Sequence, residues 1–387
     1  MPTPLLLPQA DGSLSSFTLR VPPAWNLPAT PFRTRVAFAA AHVVCDPRRD
    51  FESSGLAPID WESTLAYRRH LWSHGFAIAE AMDTAQRGGG LSWPMAQELI
   101  ARALAEGKAE QGSIACGAGT DHLMPGAPVT LDDVERAYIE QVAFVEAHGG
   151  RVILMASRAL ARVARNADDY RRVYGTILRQ ASAPVILHWL GDMFDPALAG
   201  YWGTSNLDEA TAVCLDILTE HRAKVDGIKI SLLDAQREID MRARLPAGVR
   251  MYTGDDFNYD RLILGDGTHH SDALLGIFDG IAPAASAALQ ALDAGDLAHY
   301  HEVLAPTVPL SRHIFQAPTS AYKTGIVFLA YLNGYQSHFR MLGGAESARS
   351  SVHLAELIRL ADAAGLLRDP ELAAARARNV FALAGIS

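Results

Sequence analysis

The residue with the clearest chemical potential in this chain is a lysine set in a short apolar run. The run is Val225-Asp226-Gly227-Ile228-Lys229-Ile230-Ser231, and its composition and bounds read as a buried strand. Alternation puts Gly227, Lys229 and Ser231 on one face and Ile228 and Ile230 on the other. Burial disfavours an ammonium, and the neutral amine that results attacks carbonyls. The imine it forms becomes an electron sink once protonated. A neighbouring C–C bond can then break or form, or a hydroxyl can leave. Such aldolase or dehydratase chemistry needs a proton shuttle. His188 ends the run Pro184-Val185-Ile186-Leu187-His188, shares a strand face with Pro184 and Ile186, and titrates near neutral pH in its ordinary state. The competing readings are a lysine snorkelling from a strand end into a salt bridge and a hydrogen-bonded core histidine.

These side chains must be positioned by a repeating frame. Eight apolar runs recur along the chain: Arg35 to Val44, Phe76 to Met82, Ser113 to Cys116, Arg151 to Met155, Pro184 to Leu190, Val225 to Ile230, Val249 to Thr253 and Ala273 to Phe278. Amphipathic stretches separate most of them, among them Trp61 to His74, Trp93 to Glu106, Leu131 to Ala147 and Leu207 to His221. This alternation predicts an α/β fold, a (β/α)8 TIM barrel, over residues 35–290. A Pro- and Ser-rich arm over 1–34 precedes it, and a helical extension over 291–387 follows. A doubly wound sheet is the runner-up, but no glycine-rich nucleotide fingerprint opens a helix.

In such barrels chemistry gathers at the C-terminal ends of the strands, which here carry several polar residues. Thr84 contacts a substrate oxygen or serves a turn. Gly117 and Gly119 allow close backbone approach or a turn. Asp255 and Asp256 cap a helix or position a hydroxylated substrate, and capping is the expected role of at least one. A second use of the strand ends gives the alternative: His42, Glu80, Asp121 and His122 are nitrogen and oxygen donors of the kind that bind Zn²⁺ or Mn²⁺ in metal-dependent barrel aldolases and isomerases. The principal reading needs no cofactor. A third reading is a non-catalytic, ligand-binding barrel.

At this point a family likeness becomes visible. The Gly227-Ile228-Lys229 run resembles the Schiff-base strand of the dihydrodipicolinate synthase / N-acetylneuraminate lyase superfamily. Gly75 to Leu91 followed by Ser92 resembles its second strand, carboxylate-binding loop and next helix start. Gly117-Ala118-Gly119, Pro184-Val185-Ile186-Leu187, Gly254-Asp255-Asp256 and Ala273 to Pro283 fall in the family's order. The likeness spans about residues 35 to 370, as a divergent branch. It implies a class I lyase with Lys229 as nucleophile and His188 in the place of the family's tyrosine. It also implies Thr84 as the first residue of a double-Thr motif whose second position is Ala85 here. The expected substrate is a keto acid or a sugar-derived carbonyl compound, and the expected assembly a homo-oligomer, dimer or tetramer.

Composition sets limits on the rest. The chain has 387 residues, 49% hydrophobic and 20% charged, as expected for a soluble globular protein. Its net charge of −9 and lack of basic clusters argue against nucleic acid as a partner. No apolar run approaches a membrane span, and the N-terminus lacks signal-peptide character. Cys45, Cys116 and Cys214 have no metal-type spacing and form no even disulfide set, so a cytoplasmic location is expected.

Overall fold

A computed structural model describes residues 4–50, 58–124 and 126–386; the first three residues of the expected arm and residue 387 lie outside it. Strands β1 (Leu5–Pro8) and β2 (Leu14–Phe17) form an antiparallel hairpin. Eight further strands close into a parallel barrel: β3 (Ala37–Ala40), β4 (Ala77–Glu80), β5 (Ile114–Ala118), β6 (Arg151–Leu154), β7 (Val185–Leu190), β8 (Val225–Ser231), β9 (Arg250–Thr253) and β10 (Asp272–Leu275). Between them run α1 (Trp61–Ser73), α2 (Trp93–Glu110), α3 (Leu131–Ala147), α4 (Arg158–Val163), α5 (Ala167–Gln180), α6 (Leu207–Glu220), α7 (Ala235–Arg242) and α8 (Tyr259–Leu264). After the last strand come α9 (Ile277–Asp293), α10 (Leu297–Leu304), α11 (Thr307–Ile314), α12 (Tyr322–Leu332), α13 (Ser351–Ala363) and α14 (Pro370–Leu383). The chain is a (β/α)8 TIM barrel with C-terminal helices. Among the described residues no helix is long and apolar enough to cross a membrane.

The strand ends follow from local chemistry. Asp60 caps α1 through the Ser63 N–H, and Thr130 with Asp133 forms a capping box on α3, so donors with no intrahelical partner are satisfied where each helix starts. The eighth strand is shorter than the periodicity of its residues suggests. Gly276 already has helical dihedrals, and the Ile277 N–H donates to Asp256 Oδ1 at 2.9 Å, so Ile277 and Phe278 open α9 instead of extending β10. That helix runs through residue 290, with a kink at Ile281 just before Pro283, which cannot donate an N–H.

The inside of the barrel changes character along its axis. Phe38, Ala79, Ala115, Ile153, Ile186, Tyr252 and Leu274 fill it with apolar side chains. Towards the C-terminal end the inward positions turn polar: His188 pairs in register with Lys229, and Leu190 with Ser231. A Cβ on Gly227 would lie 2.6 Å from the Tyr252 ring, so the glycine lets that ring close the floor beneath Lys229. The N-terminal arm lies on the last helices. β1 packs on α13 and α14, Arg20 Nε donates to Asp362 Oδ2 at 2.8 Å, and Trp25 Nε1 donates to the Gly365 carbonyl at 3.1 Å.

One buried acid holds α7 to the barrel. Ser271 donates to Glu238 Oε1 at 2.6 Å and Thr253 to Oε2 at 3.0 Å. Burial pushes the Glu238 carboxyl up from 4.5 to about 8. Between those values the native state holds the proton more tightly than the unfolded chain does, so stability falls as pH rises across the window. Glu238→Gln lacks this ionisation. Its stability relative to the parent is therefore expected to climb from pH 4.5 to about 8, by at most ~1.4 kcal/mol per pH unit, in urea unfolding series. A difference constant over that range would place the titration elsewhere.

Candidate active site

Lys229 projects from β8 into a small cavity of about 20 Å³, room for about one water, lined also by Asp83, Thr84, Leu190, Phe194, Ser231, Asp256, Gly276, Phe315 and Tyr322. Its side chain is 7% exposed and donates no hydrogen bond to any described residue. The amine fits because position 254 is glycine. A Cβ there would sit 2.6 Å from Lys229 Cε and 2.3 Å from Ser231 Oγ. Burial lowers the Lys229 pKa from its ordinary value, opposed by the charges of Asp256 and Asp83.

The two neighbouring titratable groups divide differently from the sequence expectation. His188 lies beside Lys229 with Nε2 3.2 Å from Ser231 Oγ. Burial, together with the Lys229 charge, holds its imidazole well below the usual histidine range, so it is neutral at neutral pH and does not titrate there. The group that titrates near neutrality is Asp256, whose carboxyl burial pushes up to about 7. Of the pair Asp255 and Asp256, Asp255 takes the turn-capping role: it accepts hydrogen bonds from the Phe257 and Asn258 N–H groups and from Asn258 Nδ2, an Asx-type turn, while Asp256 lines the lysine's cavity.

Thr84 lines the cavity, but its hydroxyl is engaged with Tyr322 Oη at 2.8 Å. Gly117 does not line it. A Cβ there would meet Met155 Sδ at 2.6 Å, and its carbonyl accepts from Arg87 Nη1 at 3.1 Å, so its place is in packing. Gly119 donates its N–H to Gln141 Oε1 at 2.6 Å and borders an adjoining cavity of about 580 Å³, which His188 also lines. A further cavity of about 220 Å³ lies on the side of Lys323 and Arg158. Asp83 and Leu190 border all three spaces.

The four candidate metal donors are not brought together. His42 Nδ1 lies 2.9 Å from Asp279 Oδ1, Glu80 forms a fork-to-fork pair with Arg68 at 2.8 and 2.9 Å, and Asp121 does the same with Arg87 at 2.7 and 2.8 Å. His122 faces Gln141 Nε2 at 2.7 Å and Glu140. Strand alternation explains Glu80: Ala79 points into the barrel, so Glu80 points out to α1. Among the described residues no three His, Cys, Asp or Glu side chains converge to hold a metal ion.

The sequence reading missed the roof. Phe315, at the end of α11, stacks on Tyr322, at the start of α12, with centroids 4.3 Å apart and planes at 14°. Phe194, from the loop after β7, meets each of them at 6.4 Å. These rings come from distant segments, and no local pattern in the sequence marks them.

Comparison with other proteins bears on the fold. The family model described as "Protein of unknown function (DUF993)" matches residues 5–386. Among curated proteins no significant match is found. Solved structures of the dihydrodipicolinate synthase family share the fold. YagE, a prophage protein of that family from E. coli in complex with pyruvate, is 14% identical, with 86% of this chain and 99% of that one covered and a TM-score of 0.66. Dihydrodipicolinate synthase from Aquifex aeolicus is 12% identical over 86% and 99% at 0.64, and that from Oceanobacillus iheyensis is 14% identical over 84% and 95% at 0.60.

The electrostatics of the cavity can be tested directly. Removing the Asp256 charge removes a group that favours the Lys229 ammonium. Asp256→Asn is expected to move the midpoint of Lys229 reductive methylation to lower pH, followed by peptide mass spectrometry. An unmoved midpoint would uncouple the two groups.

Proposed function

The chain belongs to the DUF993 family, and we propose that it is a Schiff-base-forming lyase, an aldolase or dehydratase acting on a keto acid or sugar-derived carbonyl compound. The observation that carries this reading is a buried amine with its pKa lowered by desolvation, without a hydrogen-bonding partner among the described residues, facing a small cavity at the C-terminal mouth of the barrel. A structural lysine in such a place would be expected to hold a carboxylate or carbonyl; this one holds neither.

The steps follow from the groups at hand. Neutral Lys229 Nζ attacks the carbonyl carbon, and the proton the nitrogen then carries in excess passes to the carbonyl oxygen, giving a carbinolamine. Asp256, half-ionised near neutral pH, donates the further proton with which that oxygen leaves as water. The iminium then draws electrons from the adjacent bond. The proton lost or gained at the neighbouring carbon passes through His188, whose neutral imidazole can accept it and whose Nε2 faces Ser231. Phe194, Phe315 and Tyr322 keep bulk water from hydrolysing the iminium. The buried free thiols of Cys45, Cys116 and Cys214 support a reducing, cytoplasmic setting. Assembly as a homo-oligomer, dimer or tetramer, is part of the same proposal by family likeness.

The test is borohydride trapping with a panel of keto acids and keto sugars. A carbonyl-dependent mass increase is expected on the peptide containing Lys229, and none on Lys229→Ala; an adduct that persists in the variant would remove Lys229 from the chemistry. His188→Gln is expected to keep the adduct while slowing turnover by roughly 10²–10⁴-fold. Unchanged turnover would return His188 to the core.

A further inference from the structure

The charges around Lys229 narrow the substrate class, provided the Schiff-base reading above holds. The cavity is lined by one amine and two carboxyl groups, Asp83 and Asp256, and its lining contains no arginine and no second lysine. Asp256 is engaged by the Ile277 N–H at 2.9 Å. Asp83 is different. Its carboxylate is only partly buried, accepts no hydrogen bond and forms no ion pair with any described residue, and stands where the three cavities meet. Of the cations nearest to that gate, Arg87 is bound to Asp121 and Gln141 and Arg158 Nε to Asp195, while Lys323, on the outer side, donates to the Ser320 carbonyl at 3.2 Å and feels the Asp83 charge without pairing with it.

We infer that Asp83 makes this site select ketones or aldehydes whose reacting carbonyl is flanked by an uncharged, hydroxylated carbon, and reject α-keto carboxylates. When Lys229 captures an α-keto acid, the substrate carboxylate is one bond from the carbon joined to Nζ. It must lie between Lys229 and the throat at Asp83, beside Asp256, where the lining of the small cavity offers it no arginine and no second lysine. Two like charges a few ångströms apart in a partly dry site repel strongly. An α-hydroxyl in the same place does the reverse. It donates to the Asp83 carboxylate, which has no donor from the described residues, and orients the carbonyl towards the amine. The single positive charge of the iminium is then balanced by Asp83. A substrate phosphate or carboxylate belongs further out, past Asp83, where Arg158 and Lys323 line the outer cavity.

The experiment compares two small probes of similar size, hydroxyacetone and pyruvate, in borohydride trapping on the full-length protein at equal concentrations. The initial rate of adduct formation on the Lys229 peptide is read by mass spectrometry. Hydroxyacetone is expected to exceed pyruvate by at least about tenfold, and Asp83→Asn to move that ratio towards pyruvate by about tenfold. Asp83→Ser serves the same reading if the asparagine variant does not fold. Wild-type trapping of pyruvate as fast as hydroxyacetone, or a ratio that the charge-removing variants leave unmoved, overturns the selectivity while leaving the imine chemistry standing. No adduct at Lys229 with either probe overturns the imine reading itself, and the selectivity with it.

Discussion

Desolvation of a single primary amine is the constraint around which the barrel mouth is built. An ammonium in a dry cavity with no acceptor is costly, and the cost is relieved when the group gives up its proton. The packing around Lys229 serves that condition, against the opposing charges of Asp256 and Asp83. The missing Cβ of Gly254 leaves room for its stem. Tyr252 and Phe38, edge to face at 5.9 Å, close the space below. The Phe315–Tyr322 stack closes the space above. The same desolvation raises the Asp256 carboxyl, so burial tunes the nucleophile and that acid together.

The frame around the site is held by polar groups that would be expensive to orphan. Arg68 and Glu80 are both fully enclosed, and Arg68 also donates to the His42 and Thr64 carbonyls. Arg87 ties the loop after β4 to the end of β5 by donating to the Ala81 and Gly117 carbonyls as well as to Asp121. Breaking one member of such a buried pair typically costs about 3–5 kcal/mol, because the other charge is left uncompensated. These pairs position the strand ends from outside the cavity. They explain why so many polar residues crowd the barrel mouth although few of them face the amine.

The helices after the barrel share in the site itself. Tyr322 reaches Thr84 across the mouth, and Phe315 covers Gly276, where a Cβ would lie 3.1 Å from its ring. The N-terminal hairpin packs behind them on α13 and α14. Both ends of the chain thus brace the roof, and the roof decides whether the amine stays dry.

What the sequence determined by itself was set by periodicity. Alternating apolar runs and amphipathic stretches point to eight strands with helices outside, and strand alternation groups Lys229 with Gly227 and Ser231, and His188 with Pro184 and Ile186, on one face of their strands. Their register is consistent with that, since His188 pairs with Lys229. What only the tertiary structure decided depends on contacts between distant segments. Nothing local separates Asp255 from Asp256; the turn after β9 spends one on the Phe257 and Asn258 N–H groups and leaves the other over the lysine. The fates of the polar residues near the end of β4 depend on what they meet in the fold: Glu80 turns out to Arg68 on α1 and Asp83 stands at the throat. Protonation belongs to the same class. The histidine that an isolated side chain would titrate near pH 7 is held neutral, and an aspartate takes that range instead, because desolvation is a property of the assembled surroundings and not of residue type.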